Sequence, residues 1–160
     1  MKRIALIFLL MASLVSGCGF HLRGTIILPD SIRTVSVKSP DVNLRDAIVS
    51  GLEANNVIIV NSPTSDSAQI NISKAEFTRE VSTLDNRGKS TGYVLILRAS
   101  YTVIDSAGKE LVKPSVATAR RDYNFDQDQI LSATREEELL RDEMREDAAQ
   151  SILRKMSRIK

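Results

Sequence analysis

The chain has 160 residues, with 22 lysines and arginines against 20 aspartates and glutamates, and it contains one histidine and one cysteine. A single cysteine excludes an internal disulfide, and together with a single histidine it excludes a zinc site built from several Cys and His ligands. The near balance of charges leaves no global cationic field, so nucleic acid is not an expected partner.

The first seventeen residues have the pattern of a secretory signal. Lys2 and Arg3 precede an apolar run over residues 4–15, which is shorter than the roughly 20 residues that a membrane-spanning helix needs. The run ends in Val15-Ser16-Gly17-Cys18, which resembles the lipobox of bacterial lipoproteins. We therefore predict that residues 1–17 are a lipoprotein signal peptide that is removed. The alternative is a plain secreted protein whose cysteine falls at this position by chance.

The resemblance to a lipobox implies a lipid anchor on Cys18. In such proteins the thiol carries a diacylglyceryl group and the new amino group is acylated, for example by palmitate, and two or more acyl chains make attachment stable. No cofactor is expected beyond this covalent lipid. Gly19 follows the cysteine, and because it is not aspartate, the sorting rules of lipoproteins imply the outer membrane.

The remaining chain is predicted to consist of a tether and one domain. Without the signal, 143 residues remain, with 20 basic and 20 acidic side chains. Residues 18–30 contain glycine and proline without a sustained period, which is typical of an extended tether. Residues 31–160 form the predicted single α/β domain.

The domain is predicted to open with a strand and a helix. Thr34 to Lys38 alternate polar and apolar residues, which predicts a short strand. A helix follows with apolar residues at helical spacing, and Asp41 or Asn43 is available as its N-cap. A brief apolar run over residues 57–60 comes next, and this order favours a right-handed parallel crossover.

Three longer strands are predicted after this unit. A change of phase near Lys74 predicts a bulge in the first of them. The second has a core face that alternates from Tyr93 to Val103, and the third runs to about Phe125. Turn sequences over residues 84–89 and 105–109 predict two hairpins.

A long helix is predicted to close the chain. Thr134 to Glu137 matches a capping box and predicts its start. Its apolar stripe is expected to contain Leu139, Leu140, Met144, Ala148, Ala149, Ile152, Leu153 and Met156. The predicted class is α+β, with two helices packed on one face of a small four-stranded mixed sheet in the order β-α-β-β-β-α.

These features together resemble a known family. The lipobox is followed at once by Gly-Phe-His-Leu-Arg-Gly over residues 19–24, and the last strand ends in Arg-Arg-Asp-Tyr-Asn-Phe over residues 120–125. The closing helix contains Met-Arg-Glu-Asp-Ala-Ala over residues 144–149. The chain thus resembles the LptE family, also called RlpB, of outer-membrane lipopolysaccharide-assembly lipoproteins. The resemblance implies a β-barrel partner, LptD, whose lumen the protein plugs while it helps to deliver lipopolysaccharide to the outer leaflet. It also implies a lipid-anchored protein that faces the periplasm or lies within the barrel.

The residues indicate binding rather than catalysis. The chain offers one histidine, no free thiol once Cys18 is acylated and no glycine-rich phosphate loop, so we predict no catalytic residue and no metal site. The turn over residues 86–89 carries Arg87 and Lys89, and arginine and lysine are the usual means of holding phosphate groups. Basic residues near this hairpin and near the start of the last helix are associated with lipopolysaccharide in the LptE family. The resemblance therefore implies Arg87, Lys89 and Arg135 as lipopolysaccharide-binding residues.

Two alternatives remain open at this point. Charges at a hairpin tip also keep strand edges soluble without binding anything. The whole protein could equally be a free-standing periplasmic binding module or a pilot lipoprotein for another outer-membrane channel. A free binder is expected to show one concave apolar pocket.

Overall fold

Five strands form one mixed sheet and two helices cover one of its faces in the computed structural model, which describes residues 28–29, 32–124 and 130–159. Cys18, the lipobox, most of the predicted tether and Phe125 lie outside the described residues. The elements are β1 (Thr34–Lys38), α1 (Val42–Glu53), β2 (Ile58–Val60), β3 (Ala68–Leu84), β4 (Ser90–Ile104), β5 (Glu110–Asn124) and α2 (Ile130–Met156).

The sheet has the strand order β2-β1-β3-β4-β5. β1 pairs in parallel with β2 and β3, whereas β3, β4 and β5 form an antiparallel meander. The predicted α+β class is confirmed, but the sheet has five strands and not four. The apolar run that the crossover prediction requires as a strand is β2 (Ile58–Val60), and together with β1 and the three longer strands it makes five. It pairs with β1, and the Ile58 N–H donates to the Arg33 carbonyl at 2.8 Å.

The hydrophobic core lies between the helices and the covered face of the sheet. α1 and α2 contribute fully buried residues from their predicted stripes, and β4 contributes its predicted alternating face. The central members are Leu44, Ile48, Leu52, Leu97, Val103, Met144, Ala148 and Ile152. Leu139 is wrong as a stripe residue: it is 61% exposed, because five residues of helix place it about 140° around the axis from Met144.

The start of α2 also differs from the prediction. The helix begins at Ile130, so Thr134 lies in its second turn and is not an N-cap. Ala133 is buried, and its carbonyl accepts a hydrogen bond from the Tyr123 hydroxyl at 2.8 Å. The first turn of the helix is therefore held against the end of β5, and Arg135 lies within the helix on an exposed position.

Both ends of α1 are formed by residue types that favour helix ends. Asp41 is the N-cap, and its carboxylate accepts a hydrogen bond from the Leu44 N–H at 2.9 Å. Beyond the helix, Asn56 adopts a left-handed conformation with φ of 60°, which asparagine tolerates better than most residues.

β3 is the longest strand and has two different neighbours. Its first four residues, Ala68 to Asn71, pair with β1, and nearly its whole length pairs with β4. Register shifts occur between Ile72 and Lys74, which confirms the predicted bulge, and again between Val81 and Thr83. Within the described residues, no strand pairs with residues 72–84 on the side of β1. The β3–β4 hairpin therefore projects beyond the body of the domain, and the β3 side of the projecting part is an unpaired edge.

Candidate functional site

The tip of the β3–β4 hairpin is a tightly held turn. The Asp85 carboxylate accepts hydrogen bonds from the backbone N–H groups of Arg87 at 2.8 Å and Lys89 at 2.9 Å. The Asp85 N–H donates to the Lys89 carbonyl at 2.8 Å, and Gly88 takes the left-handed φ of 77° that the turn requires. The turn thus has a fixed backbone that does not depend on the Arg87 and Lys89 side chains.

The β4–β5 hairpin ends in the same turn. The Asp105 carboxylate accepts from the N–H groups of Ala107 at 2.9 Å and Lys109 at 2.8 Å, and Gly108 has φ of 81°. The two five-residue turns share their first, fourth and fifth residues. The second turn is therefore a natural reference for the first, since it has alanine where the first has Arg87.

The predicted basic residues of the tip project into solvent. The Arg87 side chain is 82% exposed, and its Nε lies 3.6 Å from an Asp85 carboxylate oxygen. Lys89 is exposed and has no ion pair within the described part of the chain. The tip is therefore free to approach a ligand that the domain body does not touch.

Arg135 lies at the same end of the domain as this tip, but on a different element. Tyr93, four residues after Lys89, pairs with Tyr123, whose hydroxyl bonds to Ala133 in the first turn of α2. Arg135 follows two residues later. The three predicted cations thus share one end of the molecule, while their binding role stays a prediction.

A layer of arginine and aromatic side chains fills the space between α2 and this end of the sheet. The Arg79 guanidinium lies 4.6 Å from the centre of the Tyr93 ring and 3.3 Å from a Glu137 carboxylate oxygen. Tyr93 stacks with Tyr123 at 6.3 Å between ring centres. Burial is the main cause that raises the pKa of Tyr123, with smaller contributions from Glu137 and its neighbour.

The same layer continues toward α1. The guanidinium groups of Arg141 and Arg145 lie 5.0 and 4.8 Å from the centre of the Phe77 ring. Arg145 also pairs with Asp41, the N-cap of α1, at 3.0 Å. This layer was not predicted from the sequence, although one signal for it is local: Phe77 and Arg79 are two residues apart on β3, so they share one face of the sheet.

Arg121 closes this layer on the β5 side. It donates to Asp147 at 2.6 Å and to Glu143 at 3.2 Å. The hydrogen bond to Asp147 is the main cause that raises the pKa of Arg121. These contacts hold the middle of α2 to the outer strand of the sheet.

The described residues contain neither a metal-binding cluster nor a helix that could serve as a membrane span. No group of three or more His, Cys, Asp or Glu side chains in that part of the chain is arranged for a metal ion. None of its helices is both long and apolar enough to cross a bilayer.

A groove of about 680 Å³ between α1 and α2 is lined by polar and charged side chains together with alanine and glycine. Its lining consists of Asn43, Asp46, Ala47, Ser50, Gly51, Ala54, Asp142, Arg145, Glu146 and Gln150. No aromatic or large aliphatic side chain lines it, whereas small-molecule sites are lined predominantly by such side chains, so this groove differs from the apolar pocket expected of a free binder.

Comparison with known proteins gives one consistent family. The family model described as "LptE: Lipopolysaccharide-assembly" matches residues 32–156. The LPS-assembly lipoprotein LptE of Pectobacterium atrosepticum is 30% identical over 158 residues, covering 97% of this chain and 85% of the relative. Lipoprotein B from Nitrosomonas europaea superposes with a TM-score of 0.69 at 27% identity, covering 85% of this chain and 88% of that one. Rare lipoprotein B from Shewanella oneidensis gives 0.67 at 28% identity, covering 78% and 93%.

Proposed function

Since the chain belongs to the LptE lipopolysaccharide-assembly family, we propose that it works in lipopolysaccharide assembly as an outer-membrane lipoprotein anchored through Cys18. Its partner in this proposal is the β-barrel LptD, whose lumen it occupies. The role is binding and assembly, without catalysis. Family membership argues against the alternative of a free-standing binding module.

The uncovered face of the sheet supports a partner with a polar wall. Glu76, Arg98 and Thr118 lie side by side across β3, β4 and β5. In the next row Ile96 is fully buried between its neighbours, one of which is the exposed Arg120. A surface of this composition suits the interior of a transmembrane β-barrel, which is polar in contrast to its lipid-facing outside.

The barrel partnership is tested by purification from outer membranes. The chain should be recovered in mild detergent with one large β-barrel protein at a 1:1 ratio. Arg120→Glu reverses a charge on the uncovered face and should lower the yield of the complex, while Glu53→Lys, an equal charge reversal on α1, should not. Recovery of the wild-type chain as a lone monomer would favour the free-standing module.

We further propose that the β3–β4 tip contacts phosphate groups of lipopolysaccharide through Arg87 and Lys89. The observation that carries this proposal is the turn held by Asp85, because it fixes the backbone and leaves both basic side chains exposed to solvent. Arginine offers two parallel donors to a phosphate and lysine a compact charge. Arg135, exposed at the same end of the domain, is a second candidate contact.

The two matched turns provide the test of phosphate contact. Lys89→Asp should weaken binding of purified lipopolysaccharide about tenfold, or about 1.4 kcal/mol, and the loss should shrink as salt screens the charge. Lys109→Asp makes the same change at the equivalent position of the other turn and should have little effect. Arg87→Ala, which copies the residue found in the other turn, should also weaken binding. Equal losses of lipopolysaccharide binding at both turns would mean that the tip acts only as a charged, solvated surface, and would contradict specific phosphate contact.

A further inference from the structure

A second basic surface lines a cavity far from the hairpin tip. The cavity has a volume of about 350 Å³ and lies between the last turns of α2 and the outer strand β5. Its lining consists of Tyr101, Ser115, Val116, Ser151, Arg154, Lys155 and Arg158. Tyr101 is twelve residues along the hairpin strand from Lys89, so the cavity lies roughly 40 Å from the tip at about 3.3 Å per residue.

The shape of β5 accounts for the opening. Tyr101 pairs with Ser115, but Val103 pairs with Val112, so β5 carries an irregularity that includes Pro114. Such bulges bend a strand and redirect its side chains. The outer strand therefore does not follow the sheet closely at this point, and a space remains beside α2.

Three cations surround this space without acidic partners. Arg154, Lys155 and Arg158 are exposed on the last turn of α2 and beyond it, and none has an ion pair within residues 32–124 and 130–159. A helix C-terminus favours cations there through its dipole. The helix dipole therefore explains why cations lie at the end of α2. It does not explain why the hydroxyl groups of Tyr101, Ser115 and Ser151 line the same cavity.

The Tyr101 hydroxyl is a feature of the cavity that is independent of the three cations. The side chain is only 4% exposed, and its hydroxyl has no hydrogen-bond partner among the described residues. Every fully buried side-chain oxygen in that part of the chain has a hydrogen-bond partner. Since the Tyr101 hydroxyl has none, it is not fully buried, and the accessible surface that it reaches is the cavity. Burial raises the pKa of Tyr101, so the phenol stays a neutral O–H donor at neutral pH.

We propose that this cavity binds a phosphate ester, with Arg154, Lys155 and Arg158 neutralising its charge and the Tyr101 hydroxyl donating to one of its oxygens. A phosphate monoester has three oxygens that accept hydrogen bonds, and guanidinium groups match their geometry. The volume exceeds the lower limit of known small-ligand sites, which is about 300 Å³, so the site admits the group that carries the phosphate. The ester belongs either to a soluble sugar phosphate or to a lipid headgroup.

The experiment measures binding by the full chain in detergent by isothermal titration. The probes are glucose 6-phosphate for the soluble source and short-chain dihexanoyl phosphatidic acid for the lipid source. Tyr101→Phe removes only the hydroxyl and should weaken binding of the active probe about tenfold, since hydrogen bonds to charged groups are the strong ones. Arg154→Gln with Arg158→Gln should weaken it by more than tenfold. Lys109→Gln, a cation outside the cavity, is the control.

The outcomes separate a built site from a diffuse cationic surface. Loss of affinity in both variants, with unchanged melting temperatures and an unaffected control, supports the site, and the probe that binds identifies the source of the phosphate. If the arginine changes weaken binding while Tyr101→Phe does not, the cations act as a surface and the proposal is wrong. Absence of binding by both probes also overturns it. The hairpin tip is intact in all variants, so any probe that it binds contributes equally to each measurement and does not alter the comparison between variants.

Discussion

Arg145 joins the two helices to each other and to the sheet. Its Nε donates to both carboxylate oxygens of Asp41, at 3.2 and 3.0 Å, across 104 residues of sequence. The same guanidinium lies 4.8 Å from the centre of the Phe77 ring. Because Asp41 also caps α1, one carboxylate both starts a helix and fixes its position against α2.

The expected magnitude follows from these two roles. Loss of an N-cap costs about 1 kcal/mol. The side chains of Arg145 and Asp41 are 16% and 15% exposed, which places the pair between surface ion pairs at about 0–1 kcal/mol and buried ones at about 3–5 kcal/mol when one partner is removed. We therefore expect Asp41→Ala to lower the free energy of unfolding by about 2–3 kcal/mol. Asp41→Asn keeps the cap, since asparagine caps as well as aspartate, and should cost about 1–2 kcal/mol.

The assay is denaturant and thermal unfolding of the wild type, Asp41→Asn, Asp41→Ala, Arg145→Met and the combined Asp41→Asn, Arg145→Met variant. At about 2–4 °C per kcal/mol, Asp41→Ala should lower the melting temperature by roughly 5–10 °C. The double-mutant cycle should give a coupling energy of about 1–2 kcal/mol between the two side chains. A coupling near zero, with additive single effects, would refute the idea that the ion pair joins the two helices.

Further predictions concern the anchor, the core and high pH. Cys18→Ala should leave a chain that is uncut, or cut elsewhere and released from the membrane, and mass spectrometry of the wild type should find an acylated N-terminal cysteine. Leu97→Ala removes a fully buried side chain and should cost about 2–5 kcal/mol in unfolding experiments. An unchanged transition would mean that Leu97 does not lie in the core. The raised pKa of Tyr123 means that the unfolded phenol ionises first, so stability present below pH about 10 should be lost as the pH rises through the folded pKa. Tyr123→Phe should make that decline shallower, and an unaltered pH profile would contradict it.

The strands and hairpins could be predicted from the sequence because their signals are local. Alternation from Tyr93 to Val103 places the core face, and the phase change near Lys74 marks a real bulge. The aspartate-to-lysine spacing of the turns is a local pattern too, so the tip that carries Arg87 was placed correctly.

The errors and omissions arise where contacts between distant parts of the chain determine the local structure. Thr134 has the sequence of a cap, but the contact of Ala133 with Tyr123 makes the preceding turn helical. The arginine layer depends on pairs such as Asp41 with Arg145, which no periodicity can show. The cavity beside Tyr101 depends on how the end of α2 meets an irregular strand, and neither the charges nor the hydroxyls indicate this in the sequence.

The open edge of β3 has a consequence for self-association. An unpaired edge offers a template for strand addition by a second copy of the chain. Along this open edge, one register shift between Ile72 and Lys74 and two more between Val81 and Leu84 confine the regular register to residues 74–81. Lys74 and Glu76 form an ion pair at 2.7 Å at the start of that stretch, and the hydrogen bond from Lys74 lowers the pKa of Glu76. The edge thus keeps its charges in mildly acidic surroundings, and charged side chains on an edge strand disfavour the addition of a strand from a second copy. A chain in excess of its partner is therefore expected to remain dispersed and not to polymerise through this strand.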